Sequence, residues 1–192
     1  MAEEPVDFQR SRVYLWEDSL PLPKSVRNRP LSLDTCQEIA DEACELYGVK
    51  RVVIRGPRSV KQTVAYYRPT DHTISLPDWA RNKHIVLHEV AHAIVEMRFG
   101  VRDAGHGERF VGVLMYLFEH FDIVESKIAR TYANQQDVYF RKVAPPSERS
   151  IKRTLSCEQD IESQIAFFQA ELKRLRGEKR RNRLEAGIAL RG

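Results

Sequence analysis

The chain has 192 residues, 42% of them hydrophobic, and a net charge of +4. That is enough for one well-buried core plus an appendage, and too little for two full domains. Three cysteines exclude a disulfide-stapled scaffold. After the acidic opening Met1 to Pro5 no secretory signal or membrane-spanning run follows, so a cytoplasmic, reducing location without a membrane partner is expected.

In chain order, Arg10 to Leu22 carries the apolar cluster Val13-Tyr14-Leu15-Trp16, which reads as a strand laid on the core or as an arm covering a site. Residues 1–30 are an N-terminal arm in this reading. Ser32 can cap a helix through Cys36, Ile39, Ala40, Ala43, Leu46 and Tyr47, with Gly48 ending it. Val49 to Ile54, Val64 to Tyr67 and Thr73 to Leu76 read as short strands, the last two joined by turn-forming residues 68–72.

The most informative stretch is HIVLHEVAHAIVEM, residues 84–97. On a helix, His88 and His92 project from one face about 5 to 6 Å apart at Cβ, so both imidazoles can reach one zinc ion. Glu89 then falls beside the ion as a general base. The surrounding Ile85, Val86, Leu87, Val90, Ala91, Ile94 and Val95 make the helix apolar on nearly every side, hence buried. A carboxylate among them needs a partner to offset its lost hydration.

A catalytic zinc has three protein ligands and one open position. Gly100 is a plausible stop for the helix, and six residues of extended chain span up to about 20 Å, enough to bring His106 back to the pair. Gly105 and Gly107 on either side permit a sharp bend. Glu108, Glu119 and Glu125 are rival third ligands without a comparable turn. The metzincin pattern is excluded because Val95 and Arg98 stand where it needs glycine and histidine. His84 shares the face of His88 but is read as lining the approach, since three ligands in line on one helix cannot surround an ion. His72 and His120 read as structural or solvent-facing.

HEVAHAIV followed by RDAGHGERF resembles the SprT family of zinc metallopeptidases, which includes the Spartan-like DNA-protein crosslink proteases. The opening QRSRVYLWE is also similar to small HExxH proteins of actinobacteria and their phages. The first resemblance covers roughly residues 30–125. It implies zinc held by His88, His92 and His106, with Glu89 as the catalytic base for peptide-bond hydrolysis by a zinc-activated water. It also implies an α+β, zincin-like minimal metallopeptidase fold over residues 31–144, with a small, mostly antiparallel sheet packed on the active-site helix. Such sites commonly set an exposed edge strand above the metal to pair with a peptide substrate. The strand before the active helix is the candidate here, and Tyr66 or Tyr67 is a candidate oxyanion donor, although an aromatic pair in a strand also serves packing. The Cys-x-x-Cys pairs of the zinc ribbon found in many family members are absent, which weakens a specific link to DNA-crosslink repair.

Phe110 to Phe121 is apolar on almost every side and predicts an interior helix covering the active one. Ile123 to Phe140 predicts a further helix, with Val124, Ile128 and Tyr132 inward and Pro145-Pro146 ending it. Residues 145–192 form a basic helical extension in this reading. Ile161, Ile165, Phe168, Leu172 and Leu175 repeat at coiled-coil spacing, a seam for oligomerisation, for a partner protein or for the chain's own domain. Residues 141–192 hold 13 Lys/Arg and 7 Asp/Glu, net +6, against −2 for residues 1–140. The run Lys173, Arg174, Arg176, Lys179, Arg180, Arg181 and Arg183 would suit nucleic-acid phosphates or serve to keep a helix end soluble. Two functions follow: a zinc-dependent metallopeptidase, or a non-catalytic zinc-stabilised module acting through its basic C-terminal helix on protein or nucleic acid.

Overall fold

A computed structural model describes residues 7–100 and 105–147, with Ser150, Ile165, Gln169 and Lys173 as single positions beyond. The chain divides into two compact units, Met1–Pro146 and Ser147–Gly192. In the second, the described positions 150, 165, 169 and 173 are helical and exposed. The rest of the 161–175 seam and of the basic run lies outside the described residues.

The first unit is α+β, with six helices and a three-stranded mixed sheet among its described residues. The helices are α1 (Arg10–Ser19), α2 (Lys24–Asn28), α3 (Leu33–Tyr47), α4 (Lys83–Phe99), α5 (Glu108–His120) and α6 (Ser126–Gln135), and the strands are β1 (Val53–Arg55), β2 (Tyr66–Arg68) and β3 (Thr73–Ser75). No described helix is long and apolar enough to cross a membrane.

Capping explains the helix ends. Ser32 Oγ accepts the Thr35 N–H at 3.0 Å to start α3, and Gly48, left-handed at φ 59°, ends it, as expected. Asn82 Oδ1 accepts the Ile85 N–H at 3.0 Å to start α4, and Gly100 follows its last residue. Helix α6 stops at Gln135, ten residues before Pro145: the chain turns through Asp137 at φ 52° and doubles back. There the Arg141 N–H bonds the Glu108 carbonyl at 2.9 Å, so close to α5 that a Cβ on Gly112 would sit 1.8 Å from the Arg141 oxygen. Ala129 and Ala133 are its most buried positions, with Ile128 and Tyr132 only partly covered.

Arg10–Ser19, read as a strand laid on the core or as an arm covering a site, is a helix, and its Arg10 and Tyr14 line the cleft described below. Val13, Trp16 and Leu20 stand at spacings of three and four and all enter the core, and the Trp16 indole donates to the Ala129 carbonyl of α6 at 2.9 Å. Arg27 closes the end of this helix by donating to the carbonyls of Glu17 and Asp18 at 2.8 and 2.9 Å.

The sheet order is β1-β3-β2, with β1 parallel and β2 antiparallel to the central β3, so the sheet is mixed rather than mostly antiparallel. The strand before α4 is therefore central. The outer side of β1 is closed by Gln37 of α3, which accepts the Ile54 N–H and donates to the Val52 carbonyl, both at 2.8 Å. Helix α4 packs between α3 and α5 and meets β2. Its Leu87 and Ile94 are buried with Ile74, Phe110, Leu114 and Phe118 in one apolar core, which holds the helix rigidly.

Candidate metal centre

Helix α4 brings His88 and His92 one above the other, and the bend before α5 returns His106 to them, all within the first unit. The metal-ligating atoms of the three residues lie within 4.8 Å of one another. His88 Nε2 stands 3.2 Å from His92 Nε2 and 3.3 Å from His106 Nε2. Three donors arranged tetrahedrally about an ion at about 2.0 Å stand about 3.3 Å apart, a separation the two distances from His88 match. Among the described residues no fourth His, Cys, Asp or Glu joins the group. The rival third ligands are elsewhere: Glu108 starts α5, Glu125 precedes α6 without a side-chain capping bond, and Glu119 accepts from the Ser126 hydroxyl at 2.7 Å.

His106 turns inward because Gly105 takes φ 86°, a conformation costly for any residue with a Cβ. A Cβ at 105 would also meet the Asp7 carboxylate at 2.7 Å. Gly107, at φ −66° with open space around it, carries no such requirement.

Each of two ligands is held from behind by a carboxylate from the N-terminal segment. The Nδ1–H of His88 donates to Glu17 Oε1 at 2.8 Å. That of His106 donates to Asp7 Oδ2 at 2.7 Å, while the His106 N–H donates to Asp7 Oδ1 at 2.9 Å. Such bonds leave Nε2 as the bare, inward-facing donor and make it more basic. Gln9, 1% exposed, clamps the His106 carbonyl at 2.8 Å and exchanges bonds with the Tyr139 backbone. His84 Nε2 lies 2.9 Å from Glu17 Oε2, against the carboxylate that braces His88. Of the other histidines, His72 bonds the Tyr67 hydroxyl through Nδ1 at 2.9 Å, and His120 meets Glu42 at 2.9 Å.

Burial opposes the charge on Glu17, but His88 and the bond from His84 prevail and hold it well below the usual carboxylate range. Burial likewise works to lower His88, and the Glu17 charge outweighs it and raises the imidazole. His92 is driven far down by burial and then by its two histidine neighbours. His106 is lowered by burial against the opposing bond to Asp7. Two neutral imidazoles, with a third polarised by a buried carboxylate, suit a divalent cation, whose double charge Glu17 and Asp7 would balance.

Glu89 is 7% exposed, and burial raises its carboxyl above the usual value. The backbone of Tyr67 in β2 and the neighbouring His88 oppose that rise. Glu89 faces a cavity of about 280 Å³ whose lining includes the three histidines, Tyr14, Tyr66 and Glu96. Tyr14 of α1 stacks on His88 with centroids 5.7 Å apart and meets His106 edge-on at 4.9 Å. Burial raises its hydroxyl, which keeps it a donor at neutral pH. The Tyr67 hydroxyl bonds His72 Nδ1 at 2.9 Å, and Tyr66 and Tyr67 both line the cleft.

Sequence reasoning brought together the three histidines and Glu89 but missed Asp7, Gln9, Tyr14 and Glu17. Their signal was helical period: Arg10, Tyr14 and Glu17 fall at spacings of four and three, on a stripe beside Val13, Trp16 and Leu20. Compared with protein-family models, curated proteins and solved structures, the chain matches none.

Proposed function

We propose that this protein is a zinc-dependent metallopeptidase of zincin-like architecture that hydrolyses peptide bonds, with His88, His92 and His106 as metal ligands and Glu89 as general base. The observation that carries the reading is the convergence of three imidazole nitrogens, at 3.2 and 3.3 Å, beside a buried carboxylate in a cleft. Three neutral nitrogen donors favour zinc among divalent ions, and the lack of a fourth ligand among the described residues favours a catalytic over a structural role.

Zinc bound there would supply Lewis acidity, lowering the pKa of water toward about 7 and polarising a carbonyl. Glu89 takes the proton of the attacking water and passes it to the leaving nitrogen. Its raised pKa suits both halves of that exchange. Tyr14, stacked on His88 at the cleft, is the donor we assign to a developing oxyanion.

The test compares zinc content and casein cleavage in wild type, His106→Ala and Glu89→Gln. Wild type should hold one zinc per chain and cleave. Glu89→Gln should hold zinc and not cleave, and His106→Ala should lose both. Equal zinc retention in His106→Ala would overturn the ligand set, and full activity in Glu89→Gln would overturn the base.

A further inference from the structure

A second cavity, of about 410 Å³, adjoins the metal cleft and shares Arg10, Tyr14, Ala65, His88 and Glu89 with it. Its apolar wall is Val64, Ala65, Trp79 and Ile85. Trp79 is 60% exposed and Val64 61%, although both are large apolar groups in a unit that buries most of its others. Two such side chains at one mouth mark a surface that gains by being covered. The indole is presented from a braced turn, where Asn82 Nδ2 donates to the Trp79 carbonyl at 3.3 Å and Arg81 pairs with Asp78 at 2.7 Å.

Backbone direction links the cavity to the reacting centre. β3 turns the polar groups of Ile74 toward β1, so those of its partner Tyr67 face away from β3, on the open edge of β2. Tyr66 and Tyr67 line the metal cleft, and Ala65, just before β2, lines both cavities. An extended peptide laid along this side of β2 therefore passes Glu89 and reaches the wall of Val64 and Trp79. One of its alternating side chains enters the second cavity.

The far rim carries Glu17, buried against His84 and His88, and the exposed Asp18. Arg10, also in the lining, lies over the Tyr14 ring at 5.7 Å. A carboxylate side chain would lose hydration here and meet repulsion, whereas a phenyl or isobutyl group would lose only apolar hydration.

We propose that the second cavity is the specificity pocket for a bulky apolar residue, of Phe, Leu or Met class, next to the bond that is cut. The substrate class is then extended polypeptide with large apolar side chains exposed, such as unfolded protein. This inference rests on the peptidase reading, and a binding readout keeps the two separable.

Full-length Glu89→Gln protein is titrated with blocked hexapeptides that differ at one position, Phe or Asp, while Trp emission is followed. Trp79→Phe serves as the optical control, because Trp16 is fully buried. The Phe peptide should shift the Trp79 emission to the blue and saturate at a concentration about tenfold or more below the Asp peptide. Val64→Asp, at an exposed position tolerant of charge, should abolish that preference. Equal binding of the two peptides, or a preference unmoved by Val64→Asp, overturns the pocket. If wild type cuts peptides with no bias for Phe or Leu, the pocket again fails while the peptidase stands. If the Phe peptide binds at Trp79 and nothing is cut, the pocket stands and the peptidase fails.

Discussion

Glu17 of α1 and His88 of α4, separated by 71 residues in sequence, meet in a buried hydrogen bond of 2.8 Å. The N-terminal helix is thus part of the metal centre, and it orients a ligand that the HExxH helix alone would leave free to rotate.

Replacing Glu17 tests that relationship directly. Glu17→Gln should weaken zinc binding about 10- to 100-fold, the usual effect of losing a carboxylate behind a ligating histidine. Competition with a fluorescent chelator measures it. An unchanged affinity would show that Glu17 does not tune the ligand.

Trp16→Ala should destabilise the first unit by about 3 to 5 kcal/mol, since it empties a fully buried site and removes the bond to Ala129. Because α1 carries Tyr14 and Glu17, zinc affinity should fall with stability. Urea unfolding in the presence and absence of zinc reads both, and a destabilised protein with wild-type affinity would separate α1 docking from the centre.

The two glycines around His106 should behave differently. Gly105→Ala forces a Cβ into φ 86° and against Asp7, costing about 1 to 2 kcal/mol in the backbone alone and speeding zinc release. Gly107→Ala, in open space at negative φ, should leave release unchanged. Stopped-flow transfer of zinc to a chelator distinguishes them.

The pH dependence of the metal-free protein follows from the opposed shifts of Glu17 and His88. Glu17 is depressed on folding, so its contribution is present above the unfolded carboxylate value and is lost as pH falls through the folded one. His88 is raised, so its contribution is present below the unfolded imidazole value and is lost as pH rises through the folded one. His92 and His106 are lowered on folding, so they cost stability as pH falls below the unfolded imidazole value, and stability in EDTA should be greatest near that value. Zinc affinity should instead keep rising with pH across the imidazole range, because the cation must displace the His88 proton. Urea titrations and chelator competition across pH check both signs.

Tyr14→Phe should lower kcat about 10²- to 10³-fold, as loss of an oxyanion donor does, with zinc content and KM unchanged. A rise in KM at constant kcat would make Tyr14 a substrate-binding group instead.

The amino-acid sequence by itself determined what short-range periodicity can encode. His88, Glu89 and His92 are a helical pattern, Ser32 and Gly48 are local capping chemistry, and the return of His106 follows from the glycine at its bend. Tertiary structure decided the rest. Val13 to Trp16 is an apolar run with the composition of a strand, and it became helical because Val13, Trp16 and Leu20 fit the groove against α6. The order β1-β3-β2, which turns β2 rather than β3 toward the metal cleft, depends on which strands pair across the sheet. Asp7 and Glu17 reach ligands 99 and 71 residues away. Spacing along the chain carries no trace of such contacts, because they exist only once the core has folded around α4.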